Sequence, residues 1–134
     1  MSEIIYRTDK MIDPSLLKDL FNSVGWAQDL SADKLQFVIF NSSHAITAWD
    51  KHRLVGLIRS MDDNGYSANI DLLLVHKDYQ GQGIATHMIE KLLDEIKHIQ
   101  YISTSPNESK NFKLYTRFGF QIIADAGLLQ KTNI

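Results

Sequence analysis

The chain has 134 residues, 44% of them hydrophobic and 22% charged, a balance that suits one compact domain with a substantial core rather than a disordered segment. With 14 Lys and Arg against 16 Asp and Glu and no basic block, nothing electrostatic points to nucleic acid as a partner. The absence of cysteine excludes a disulfide framework, a thiolate metal site and a cysteine acyl-enzyme.

The opening MSEIIYRTDK lacks the basic start and apolar stretch of a signal peptide, and no run approaches membrane-spanning length. A single domain over residues 1–134, cytoplasmic and without a membrane partner, is therefore expected. Glu3 to Arg7 reads as a short strand. Asp13 before Pro14 marks a helix start, because the Asp side chain caps free amides and proline tolerates the first helical position. Leu16, Leu17, Leu20, Phe21 and Val24 then recur at helical spacing. After Ser23-Val24-Gly25-Trp26, a second helix is predicted from Ser31 to about Asn41 with Leu35, Val38 and Ile39 inward. A meander follows: Ala45 to Trp49, Leu54 to Met61 and Tyr66 to Val75 are strands, with Asn64-Gly65 a hairpin signal and Asp62-Asp63 its turn chemistry.

Leu72 to Ala85, LLLVHKDYQGQGIA, is the most informative segment. A strand ends in a polar loop that brings two glycines to the start of a helix predicted to continue to about His98. Ile84, Met88, Leu92 and Ile96, with Ala85, Ile89 and Leu93 beside them, form that helix's apolar stripe. The first amides of a helix lack intrahelical partners, so with the loop amides and the helix dipole they can form an anion cradle, the alternative for the two glycines being a tight strand-to-helix corner. Glycine at 81 and 83 leaves the backbone N–H groups open and tolerates the required dihedrals. A dinucleotide fingerprint fails because Thr86 stands where its third glycine belongs, and no Gly-Lys-Ser/Thr follows for a Walker A loop. Ile99 to Thr104 is a further strand. Ser105-Pro106-Asn107-Glu108 has the form of a capping box, opening a helix that stops at Gly119. Phe120 to Ile123 and Leu128 to Lys131 are read as the last strands.

Gln80-Gly81-Gln82-Gly83-Ile84-Ala85 resembles the coenzyme A pyrophosphate loop of the GCN5-related N-acetyltransferases, and Asn111 to Phe120, NFKLYTRFGF, resembles their second signature. The element order β α α β β β α β α β β is also similar to the family's, so the resemblance covers nearly the whole chain. It implies an α/β fold: a mixed sheet with helices on both faces, splayed where the strand ending at Val75 parts from that ending at Thr104. Acetyl-CoA would lie in the splay, its pantetheine along Leu73, Leu74 and Val75 and its pyrophosphate on Gln80, Gly81, Gln82, Gly83, Ile84, Ala85 and Thr86, with Asn111 also at the cofactor. Within the family, Ser23 to Trp26, Leu54 to Gly56 with Arg59, and Tyr79 to Gly83 resemble stretches of plant serotonin N-acetyltransferase-like proteins and their bacterial relatives. That branch suggests a small arylalkylamine acceptor, with Trp26, Phe37 and Arg59 as its contacts; a homodimer is compatible with the family.

An alkylamine with a pKa of about 10.4 is almost wholly protonated at pH 7 and needs a base before it attacks a thioester. Asp71 is the candidate, directly or through a water, since alternation sets Asn69, Asp71, Leu73 and Val75 on one strand face; the other reading is a carboxylate paired with Arg59. In related sequences of this branch the acid stands one place later, at Leu72 here. The resemblance makes Tyr115 the acid that protonates the leaving thiolate, the alternative being a partly buried aromatic with a satisfied hydroxyl. It also implies a backbone N–H near Leu74 or Val75 as oxyanion donor. His76 and His87 have no third ligand at metal-like spacing, so surface imidazoles and no metal are expected. Trp49 is read as pocket lining or core. The expected reaction is direct acetyl transfer in a ternary complex, against the rival of a non-catalytic acyl-CoA-binding or sensor module that contacts another protein.

Overall fold

The structure is a computed structural model that describes residues 3–106, 109–123 and 127–133. Five strands, β1 (Ile4–Arg7), β2 (His44–Asp50), β3 (Arg53–Asp62), β4 (Ser67–Val75) and β5 (Tyr101–Thr104), lie in that order in one sheet. The first four are antiparallel and β5 joins β4 in parallel. Four α-helices accompany them: α1 (Pro14–Val24), α2 (Ala32–Phe40), α3 (Ile84–Glu95) and α4 (Ser109–Thr116). The mixed sheet with helices on both faces is as the sequence leads one to expect.

Local chemistry sets the boundaries. The Asp13 carboxylate accepts the Ser15 amide at 2.8 Å and Pro14 occupies the first turn of α1, while Gly25 closes it in the left-handed region at φ +72°. Ser31 caps α2 through the Lys34 amide at 3.1 Å. Asp63 accepts the amides of Gly65, Tyr66 and Ser67, which fixes the β3–β4 hairpin and holds its carboxyl below the usual carboxylate range.

Two apolar layers sandwich the sheet. Leu17, Leu20 and Phe21 of α1 and Leu35 and Ile39 of α2 meet Trp49, Leu54, Leu57 and Leu74 on one face; Ile84, Met88, Ile89 and Leu92 of α3 meet Ile46, Val55, Ile58 and Ile70 on the other. Trp49, 7% exposed, therefore belongs to the core and donates its indole N–H to Thr47 at 2.8 Å. Gly56 is where the α3 face is tightest: a Cβ there would stand 3.0 Å from both Ala48 Cβ and the Met88 thioether.

The alternation assumed along β4 does not hold. Leu57 pairs with Leu74 but Arg59 with Asp71, so β4 carries an extra residue, and Leu72 sits at φ +55°. Ala68 and Ile70 pack toward α3 before this bulge and Leu73 and Val75 after it, while Leu72 and Leu74 join the α1–α2 layer. Asp71 is thus opposite in face to Leu73 and Val75. A period of two cannot register an inserted residue.

The C-terminal region differs too. Phe120 to Ile123 and Leu128 to Lys131 form no strand among the described residues, and Ile122, Ile123, Leu128 and Leu129 are exposed. Without a partner ladder, their apolar composition does not suffice. The helix opened at α4 ends as expected, with Gly119 left-handed at φ +91°, but Asn107 and Glu108 of the capping box lie outside the described residues. Helix α3 stops at Glu95 rather than near His98.

Candidate active site

The β4–β5 ladder pairs Ser67 with Tyr101 through Ile70 with Thr104, and among the described residues β4 runs on from Asp71 to Val75 without a paired strand on that side. The sheet forks there. At the end of the free stretch a short 3-10 turn, Lys77–Tyr79, leads into Gln80 and the two glycines, and Gly83 is the N-cap of α3. Gly81 and Gly83 both adopt left-handed conformations, φ +81° and +82°, which glycine alone takes without strain. Among the described residues no side chain caps α3, which suits its first amides to an anion.

A cleft of about 420 Å³ opens at this point. Leu73, Leu74 and Val75 form its strand wall, and Gln80, Gly81, Gly83, Ile84, Ala85 and Thr86 its cradle, with Asn111 opposite on α4. Of the residues assigned to the cofactor from sequence, Gln82 alone is not in the lining. The Gln80 side chain donates to the Val75 carbonyl at 3.1 Å, which ties the loop to the end of β4. Sequence reasoning missed Lys110, Leu114 and Arg117, although Asn111, Leu114 and Arg117 recur at three-residue spacing along one helical face. Two cations on that face suit an anionic ligand.

The acceptor residues proposed from sequence separate. Trp26, with Val24, lines the same cleft as the cradle. Phe37 does not: the inward stripe of α2 is Leu35 and Ile39, so Phe37 points outward, 61% exposed, with the Lys34 ammonium 5.3 Å from its ring centre. Arg59 binds Asp71 through two charge-assisted bonds, Nε to Oδ1 at 2.6 Å and Nη2 to Oδ2 at 3.1 Å. The Asp71–Arg59 pair foreseen as an alternative is thus formed, on the α1–α2 face of the fork.

Tyr115 is 3% exposed and packs edge-on against Phe120 at 5.1 Å. Its ring shares a pocket wall with Thr104, whose hydroxyl donates to the Ile70 carbonyl at 2.9 Å at the last rung of the β4–β5 ladder. Burial, with a lesser contribution from the Asp71 charge, pushes its pKa up to about 12. The phenol therefore holds its proton throughout the neutral and mildly alkaline range. His87 is exposed as expected, whereas His76 is buried, contrary to the surface reading. Among the described residues no group of three potential metal ligands gathers.

A forked mixed sheet with an anion cradle at the mouth of the fork suits a transferase of the acyl-coenzyme A type, while Tyr115 lies outside the lining of that cleft, in the wall of a neighbouring pocket with Thr104 and Phe120. Residues 18–128 match the family model described as the acetyltransferase (GNAT) domain. The chain belongs to the GNAT acetyltransferase family. It is 31% identical over 124 residues, 88% of its length and 70% of the relative's, to an uncharacterized N-acetyltransferase, ycf52, of Pyropia yezoensis. A GNAT-family protein of Streptococcus pneumoniae superposes with a TM-score of 0.82 at 25% identity, covering 98% of each chain. The diaminobutyrate acetyltransferase EctA of Paenibacillus lautus, solved with L-2,4-diaminobutyric acid and coenzyme A, gives a TM-score of 0.72 at 20% identity over 88% of this chain and 75% of its own.

Proposed function

We propose that this acetyltransferase moves an acetyl group from acetyl-CoA to the nitrogen of a small primary amine by direct attack within a ternary complex. The observation that carries this reading is the conjunction of the left-handed Gly81–Gly83 cradle with a strand edge left free from Asp71 to Val75. The cradle and the Lys110–Arg117 face would take the phosphates, and the free edge would pair with pantetheine as a strand would. That geometry brings the thioester toward the fork. There the Tyr115 phenol supplies a proton to the departing thiolate, and Asp71, directly or through a water, takes one from the ammonium of the acceptor. With no cysteine in the chain, direct attack needs no acyl-enzyme.

The acceptor in this proposal is an arylalkylamine, supported by the apolar surface that Val24 and Trp26 add to the cleft and by the likeness of Ser23 to Trp26 to the serotonin N-acetyltransferase branch. The setting is cytoplasmic and the 134 residues act as one domain. The test is thiol release from acetyl-CoA with a panel of arylethylamines, diamines, amino acids and peptide N-termini. Turnover with arylethylamines above the others is expected. Preference for diamines or peptides would replace the acceptor assignment, and no release with any amine would remove the transfer reaction itself.

A further inference from the structure

Next to the cradle, four side chains from three elements meet. The Tyr79 hydroxyl donates to Asp50 Oδ2 at 2.6 Å, joining the 3-10 turn to the end of β2. The His76 amide donates to the Val55 carbonyl at 2.8 Å, and His76 Nδ1 accepts the Asp78 amide at 3.1 Å, which caps that turn. His76 Nε2 stands 3.0 Å from Arg53 Nη2, and the Arg53 guanidinium lies 5.7 Å from the centre of the Tyr79 ring. The His76 and Tyr79 rings meet edge-on at 5.7 Å. Tyr79 also lines the cleft, so whatever moves this cluster moves the wall of the cradle.

The partners of His76 are unusual in kind. A guanidinium and a backbone amide are both donors with nothing to accept. A neutral imidazole has one lone-pair nitrogen, so it can satisfy one of them; a protonated imidazole, with N–H on both nitrogens, satisfies neither and adds a charge beside Arg53. We infer that His76 and Tyr79 are positioning residues that hold the pyrophosphate loop in its anion-binding shape, and that protonation of His76 releases it. This inference rests on the coenzyme A reading of the cleft.

The surroundings agree with the geometry. Burial and the Arg53 charge, helped by Lys77, hold the His76 pKa below the ordinary value, while Asp78 and Asp19 of α1 oppose them more weakly. The ring is therefore neutral at pH 7, and release belongs to the range below about pH 6.5, where free histidine titrates. Ser23 Oγ accepts the Lys77 amide at 3.4 Å and the Gln80 side chain donates to the Val75 carbonyl at 3.1 Å, and neither of these ties titrates.

Calorimetric titration with coenzyme A, in the intact chain from pH 7.5 to 5, tests this with His76→Asn and Tyr79→Phe, each first shown to be folded by circular dichroism. Asparagine can accept the Asp78 amide as an Asx turn does but cannot be protonated. The expected result is that His76→Asn binds within a few-fold of wild type at pH 7.5, and that wild type loses roughly tenfold more affinity on acidification than the variant does. The ligand's own phosphate titrates in both cases and cancels in the comparison. Tyr79→Phe should bind roughly tenfold more weakly at pH 7.5 with an unaltered pH profile, since its ring is kept and only the bond to Asp50 is lost. Parallel profiles for wild type and His76→Asn, or wild-type affinity in Tyr79→Phe, overturn the positioning role while leaving the coenzyme A site standing. Failure of wild type to bind coenzyme A at any pH overturns both.

Discussion

At the scale of single residues, the proposed reaction divides the proton traffic between Tyr115 and Asp71, and the environment of each bears on that role. Tyr115 is sealed from water and held protonated, with its pKa pushed up to about 12, so its ability to donate does not decline between pH 7 and 10. Replacing it by Phe keeps the ring packing against Phe120 and deletes the proton. kcat should fall about 10²–10⁴-fold with little change in the KM for acetyl-CoA. Steady-state kinetics decide this, and wild-type turnover in the variant would show that water protonates the thiolate. Asp71 is half-exposed and already engaged by Arg59 on both oxygens, so any base function uses its remaining lone pairs. For Asp71→Asn, activity should drop at pH 7 and recover in part toward pH 9 to 10, as solvent itself deprotonates more of the amine. A uniform loss across the pH–rate profile would make the pair a positioning device for the acceptor.

The elements show why some of this was legible in sequence and some was not. The two glycines, the apolar stripe of α3 and the cap at Asp13 are local instructions, readable within a few residues, and each stands where expected. The bulge at Leu72 is different in origin. It arises from the pairing of β4 with β3, a relation between distant segments, and so alternation put Asp71 on the same face as Leu73 and Val75. Phe37 and His76 failed for a related reason: which side of an element is covered depends on neighbours that the periodicity does not name. The glycine assignments can be tested directly. Gly83→Val places a branched residue at φ +82° and should weaken coenzyme A binding by well over tenfold in a chain that still folds, because that conformation and the open amides are both lost. Unchanged calorimetric affinity would reduce the cradle to a corner. Gly56→Ala probes the core instead, since its methyl would stand 3.0 Å from Ala48 and Met88. Overpacking of this kind costs about 1–3 kcal/mol, and the urea midpoint should fall accordingly; Met88 repacking without loss would show that the contact is soft.

For the molecule as a whole, the fork that creates the site also places ionisable groups where the fold selects their protonation state. His76 and Tyr115 are both buried and both kept neutral, but they act at opposite ends of the pH scale. His76 has a folded pKa below its unfolded value, so the stability it contributes is present above about pH 6.5 and declines as pH falls below that. Tyr115 is the reverse case. Its folded pKa, about 12, lies above the value near 10 of an unfolded tyrosine, so its contribution is complete below pH 10 and is lost as pH rises from there toward 12, where the unfolded chain gives up the proton that the folded chain retains. One group with a gap of this size accounts for roughly 3 kcal/mol at most across that window. The expected observation is a urea-unfolding midpoint that declines more steeply between pH 10 and 11.5 in wild type than in Tyr115→Phe, because the phenylalanine variant has nothing to ionise at that position. Every other position is the same in both proteins and sets a common background. If the two curves run parallel, the Tyr115 hydroxyl is reached by water in the folded chain, and the phenol at the fork is then a solvated group whose proton solvent can exchange without opening the core.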